Sequence, residues 1–136
     1  MKIPDSWLPP ITLAADEVPR LAALSACGRH LAPEAADFLE GELDRARVLP
    51  GDAVPPGTIR MGSLVRYRDE GAQKDIWAEL VYPGQENVEH RRISILSPVG
   101  AALIGLSAGQ SIVFTTPLGR RRKLTVLSVD EPRPTS

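Results

Sequence analysis

Sulfur and imidazole are scarce in this 136-residue chain, which has one cysteine, Cys27, and two histidines, His30 and His90. A single thiol cannot close an internal disulfide, and it suits a reducing compartment. One cysteine and two separated histidines fall short of the ligand set of a tetrahedral zinc site. A serine or cysteine nucleophile needs a histidine base and an orienting acid, and neither histidine stands in such surroundings. Aromatic residues make up only 4% of the chain, and none interleaves its basic run Arg120 to Lys123, which weakens a reading as a single-strand-binding surface. No apolar run approaches the roughly 20 residues that span a bilayer. The first residues, Met1 to Trp7, lack the long apolar core of a signal peptide. A formal net charge of −1 gives no general attraction to nucleic acid or anionic membrane. No glycine-rich loop carries the Lys-Ser/Thr pair of a phosphate-binding loop. The expectation is a cytoplasmic, non-enzymatic chain with no catalytic residue, metal, cofactor, membrane contact or small-molecule substrate.

What is present is organised around Ile93 to Gln110, a stretch with hardly a charge in it. Ile93 to Leu96 read as a strand of a buried sheet. Pro98 suits the first turn of a helix, since it lacks a backbone donor and presets its own φ. Val99, Leu103 and Leu106 recur at helical spacing beside Ala102, and Ser107-Ala108-Gly109 is expected to end the helix. A helix so short needs packing from its surroundings.

Before this stretch, residues 1–11 hold three prolines and Trp7 and should be extended. Asp16 to Ala26 show a helical pattern with Pro19 in the first turn, and Gly28 is expected as its C′ residue. A second helix is expected from Ala32-Pro33 to about Val48, with Ala35, Phe38, Leu39, Leu43 and Ala46 on its apolar face. Two helices so briefly joined predict a short antiparallel hairpin with Arg29 and His30 at its tip. Its longer arm would measure about 22 to 24 Å. Leu49 to Gly57, rich in proline and glycine, marks a break. Strands are expected at 64–68, 76–82, 92–96, 111–116 and 121–129, with turns at Asp69-Glu70-Gly71 and Pro117-Leu118-Gly119. The fold class is therefore α+β. It combines an N-terminal helical hairpin (1–49), a linker (50–57) and a C-terminal antiparallel sheet curled around one short helix (58–136).

Several separated motifs carry a family resemblance. They are Glu42-Leu43-Asp44-Arg45-Ala46, Met61-Gly62-Ser63-Leu64-Val65, Leu80-Val81-Tyr82-Pro83, and the run Ile93-Ser94…Ser97-Pro98-Val99-Gly100 with Gly109-Gln110-Ser111-Ile112. Together they resemble the C-terminal domain of the GreA/GreB transcript-cleavage factors, and more closely the Rnk type, the regulators of nucleoside diphosphate kinase. The resemblance covers roughly residues 12–129. It implies an FKBP-like C-terminal domain and RNA polymerase as partner, with DNA reached only through the polymerase. It further implies a regulator that docks near the secondary channel and competes with Gre factors without stimulating cleavage. At Leu106 and Gln110 the chain departs from the Gre pattern, which usually shows lysine and an acid there.

Three candidate sites follow. The resemblance places Ser97, Pro98 and Val99 on the polymerase-docking surface, whereas the residues alone read as a strand-to-helix turn; the two readings are compatible. Glu34 and Asp37 stand three apart near the hairpin tip. The resemblance would make them tip carboxylates that help hold a catalytic magnesium, the mark of an active Gre-like cleavage factor; the bland reading is acids facing a helix macrodipole. The inverted order Glu-x-x-Asp and the short hairpin favour the bland reading. Arg120 to Lys123 form the one dense basic run, read as a solvated hairpin end rather than a phosphate site. An alternative from another class is an FKBP-type prolyl isomerase. Its pocket would need aromatics, and this domain offers only Tyr67, Trp77, Tyr82 and Phe114.

Overall fold

The computed structural model describes residues 8–116 and 118–132. Trp7 and Pro117, singled out above, lie outside the described residues. Helix α1 (Val18–Cys27) carries Pro19 in its first turn, where the missing N–H has no partner to lose. A short 3-10 turn, Gly28–His30, leads to α2 (Pro33–Arg45). Gly28 is not the left-handed C′ residue expected from sequence, since its φ is −75°. Its lack of a side chain serves packing instead. A Cβ there would stand 2.7 Å from a Leu96 methyl, so the turn between the helices sits directly on the segment around Leu96.

The second helix ends short of Val48. Ala46 is extended (φ −71°, ψ 145°), and Arg47–Leu49 form strand β2, which pairs in parallel with β1 (Thr12–Ala14). No local pattern marks this pairing, because its partner lies more than 30 residues away. Of the expected linker, Gly51–Ala53 form a 3-10 turn, and the Arg60 guanidinium donates to the Gly51 carbonyl at 3.3 Å.

Five strands make the main sheet: β3 (Leu64–Asp69), β4 (Lys74–Val81), β5 (Arg92–Ser94), β6 (Ser111–Thr115) and β7 (Arg121–Asp130), in the order β5-β4-β3-β7-β6. The turn between β3 and β4 is held by the Asp69 carboxylate, which accepts from the Gly71 and Ala72 N–H groups. Alternation sends Val65, Tyr67, Ala78, Leu80, Ile112, Phe114, Leu124 and Val126 inward, while Arg66 and Trp77 face out. Leu127 is the extra residue of a bulge opposite Arg66 and Tyr67. The sheet is not wholly antiparallel, as the sequence had suggested. β5 runs parallel to β4, with Glu79 opposite Arg92 and Val81 opposite Ser94. Two successive turns in residues 82–91 reverse the chain twice, and Arg91 takes a positive φ of 55° to complete the second.

Helix α3 (Pro98–Leu103) lies in the core, with Ala101, Ala102 and Leu103 fully buried. It is shorter than its apolar periodicity suggests. Ile104 is extended and Gly105 has φ +81°, so Leu106 is buried from outside the helix. Gly105 ends the helix because three segments meet there. Its N–H donates to Ile59, its carbonyl accepts from Thr12, and a Cβ would stand 2.9 Å from the Ile11 Cβ. Leu21 of α1 and Leu39 of α2 share one hydrophobic core with Leu103, Ile112 and Leu124 of the C-terminal part.

Candidate functional site

The loop between β5 and α3 is built by hydrogen bonds. Ser97 caps α3: its Oγ accepts from the Gly100 N–H at 3.0 Å and donates to the Ser94 carbonyl at 2.7 Å. Ser94 Oγ in turn accepts from the Leu96 N–H at 3.0 Å. The Ser97 hydroxyl is therefore committed to the loop's own shape. Pro98 is the exposed residue of the predicted trio, and Ser97 and Val99 are half-buried.

Helix α2 lies beside this loop and brings one predicted carboxylate to it. Glu34, Ala35 and Phe38 line a depression of about 40 Å³ together with Pro98, Phe114 and Thr115. The Phe38 and Phe114 rings meet edge to face, with centroids 6.2 Å apart. On the other side of Ser97–Pro98 lies a wider groove of about 390 Å³, walled by Leu31, Ile93, Leu96 and Pro83, with Glu86 at its rim. Leu31, Leu96 and Glu86 were not singled out from sequence. The one local hint was Leu31, an apolar residue outside either helical face.

The two tip carboxylates have different neighbours. Asp37 sits 3.6 Å from Arg29, and Arg29 also donates to Glu40, whereas Glu34 overlooks the Pro98 depression. Arg29, expected at the hairpin tip, is turned back onto α2. Among the described residues no group of three or more His, Cys, Asp or Glu is placed to hold a metal ion. Glu34 and Glu86 have no ion-pair partner among the described residues, though Glu86 accepts from the Gly84 N–H at 2.6 Å.

The basic run does not form a single face. Arg122 is paired with Asp69 at 2.7 Å and lies near the Phe114 ring, while Arg120 and Lys123 are exposed. Both positions that depart from the Gre pattern are used internally. Leu106 is fully buried, and its carbonyl accepts from the Ile59 N–H. Gln110 bridges two segments: its Oε1 accepts from the Ser107 N–H at 2.9 Å, and its Nε2 donates to the Pro10 carbonyl at 3.1 Å.

The comparisons agree with this architecture. The family model described as "Transcription elongation factor, GreA/GreB, C-term" matches residues 54–131, from the segment before β3 to the end of β7. The chain belongs to the GreA/GreB family. It is 36% identical over 95 residues to the regulator of nucleoside diphosphate kinase of Escherichia coli (strain K12), a match covering 70% of each chain. It is 37% identical over 107 residues to transcription elongation factor GreA of Chloroflexus aurantiacus (strain ATCC 29366 / DSM 635 / J-10-fl), covering 72% of this chain and 66% of the relative. Among solved structures, a prokaryotic transcription elongation factor GreA/GreB from Nitrosomonas europaea superposes with a TM-score of 0.69 at 34% identity, covering 90% of this chain and 99% of the other. Among the described residues no helix is long and apolar enough to cross a membrane.

The Glu42 to Ala46 motif, which helps carry the family resemblance, has a structural role. Glu42 is buried and pairs with Arg45 at 2.6 Å, and Arg45 donates to the Pro9 carbonyl, tying the N-terminal segment to α2. A second acid, the half-buried Glu17, accepts from the Met61 N–H at 3.4 Å and lies 3.6 Å from Arg60. Desolvation outweighs these partners and raises both carboxyls above the ordinary 4.5. A raised folded-state pKa gives a stability contribution that is complete below 4.5 and lost as pH rises through the folded value. Asp75 is held low by its hydrogen bond from Arg66. Asp69 is penalised by burial but held lower still by Arg122 and two backbone donors, so both Asp contributions fade only below 3.8. The melting temperature is therefore expected to rise as pH falls from 7 towards 4.5, and to drop again below 3.8. Calorimetry of Glu42→Gln should show a flatter rise, and an unchanged slope would contradict the assignment.

Proposed function

We propose that this chain is a transcription regulator that docks on RNA polymerase near the secondary channel and competes there with Gre factors without stimulating transcript cleavage. Family membership supports the partner, and DNA would be reached only through the polymerase. In this reading the sheet and α3 serve as an FKBP-like docking domain presenting Ser97, Pro98 and Val99, and α1 and α2 stand for the helical hairpin of residues 1–49. The observation that supports the absence of cleavage is the different engagement of Glu34 and Asp37: the first lines the Pro98 depression and the second stands 3.6 Å from Arg29. Assistance to a magnesium-dependent active site needs both carboxylates aligned on one ion, where misplacement by about an ångström costs orders of magnitude in rate. The packing of Gly28 against Leu96 also holds the inter-helix turn on the domain rather than projecting from it.

The assay mixes stalled elongation complexes with the chain and follows RNA length on a gel. The expected result is no shortening above background, together with dose-dependent suppression of cleavage by an added Gre factor. Cleavage above background that disappears in Glu34→Ala or Asp37→Ala would establish the Gre-like alternative instead. A prolyl isomerase gains no support. Tyr67 and Phe114 are buried, and the depression that Phe114 lines measures about 40 Å³, against about 300 Å³ or more for ordinary ligand sites.

A further inference from the structure

We propose that the docking surface is composite: the turn between α1 and α2 and the loop between β5 and α3 together form a preformed groove that takes an apolar side chain of the polymerase flanked by lysine or arginine. This rests on the polymerase-docking reading above and specifies which part of the surface does the binding and what it binds. Three observations carry it.

The groove of about 390 Å³ is lined by Leu31 and Ala32 of the inter-helix turn and Leu96 of the β5-to-α3 loop, with Ile93 of β5 and Pro83 and Glu86 of the connection before it completing the wall. Leu31 is 83% exposed, although it lines the same groove as the partly buried Ile93 and Leu96. A large aliphatic side chain held in water beside an apolar concavity marks a contact site better than an isolated surface leucine does. The two walls are also fixed relative to one another. Gly28 lets the inter-helix turn close onto Leu96, where any Cβ would stand 2.7 Å from a methyl, and the Ser94 and Ser97 hydroxyls lock the loop. A groove already in shape costs little ordering on binding.

Charge decides the class of occupant. Glu86 at this groove and Glu34 at the smaller depression flank Ser97–Pro98, and neither has an ion-pair partner among the described residues. The lining of the groove includes Glu86 and no lysine or arginine, so its own side chains leave that carboxylate uncompensated. Uncompensated carboxylates around an apolar pocket favour an apolar anchor with cationic neighbours and steer its approach.

The test measures affinity of the full chain for core RNA polymerase over a range of salt concentrations. Leu31→Asp is expected to weaken binding about tenfold or more, the scale of a central apolar contact. Glu86→Lys should weaken binding at low salt, with the difference shrinking as salt screens the rim charge. Both residues are exposed, so melting temperatures should match that of the unaltered chain. Asp52→Lys makes the same charge change at an exposed position in the Gly51–Ala53 turn and should bind normally. If the unaltered chain binds but Leu31→Asp and Glu86→Lys bind equally well, the groove is not used and this inference falls while polymerase docking stands. Equal losses in Glu86→Lys and Asp52→Lys would reduce the charge effect to net charge and also overturn it. Failure of the unaltered chain to bind would overturn the docking reading itself, and this inference with it.

Discussion

Gly100→Ala is expected to destabilise the protein by about 3 kcal/mol or more, beyond the usual range for overpacking a core. Helix propensity alone points the other way, since alanine is favoured over glycine inside a helix by about 1 kcal/mol. Packing reverses that sign. A Cβ on Gly100 would stand 2.1 Å from the Ser94 carbonyl oxygen and 3.0 Å from the carbonyl carbon, both backbone atoms. The same carbonyl accepts the Ser97 hydroxyl, so it cannot retreat without undoing the cap of α3. Denaturant unfolding should show the loss, with Gly41→Ala as a control. Gly41 lies in α2, and a Cβ there would meet nothing within 4 Å, so alanine should leave stability unchanged or raise it. A Gly100→Ala protein as stable as the parent would mean that the β5-to-α3 turn is not the tight packing described above.

Leu103→Ala is expected to cost about 2–5 kcal/mol, the range for truncating a fully buried leucine. Leu103 closes α3 in the centre of the core, fully buried among side chains contributed by both the helices and the sheet. Because Leu21 and Leu39 belong to that same core, the cavity would loosen α1 and α2 as well as the sheet. Melting followed by circular dichroism should therefore shift as one transition. An unchanged midpoint would mean that α3 faces solvent.

The strands of the main sheet and the start of α3 were legible in sequence because their signals are local. Period-two alternation marks β3, β4, β6 and β7. Pro98 after a serine marks the start of α3, and the Asp69 turn carries its own hydrogen-bond acceptor. The family motifs were legible for the same reason, as short runs of fixed residues. The candidate site was only half legible. Ser97 and Pro98 were found, but Leu31 looks like an ordinary turn residue until Gly28 folds it over Leu96. Glu34 and Asp37 look like a pair on a helical wheel until Arg29, from the preceding turn, takes Asp37.

By itself, then, the chain's sequence determined its α+β class and its family. These depend on composition and on neighbours within a turn or two. Tertiary structure decided the parallel pairing of β5, the β1–β2 pair, the early end of α3 at Leu103 and the fate of each candidate charge. Those outcomes depend on groups far apart in the chain: Gln110 on the Pro10 carbonyl 100 residues away, Arg122 on Asp69 across 53, Thr12 on Gly105. A backbone donor or buried charge must find a partner wherever the fold brings one, and periodicity carries no record of which partner that will be.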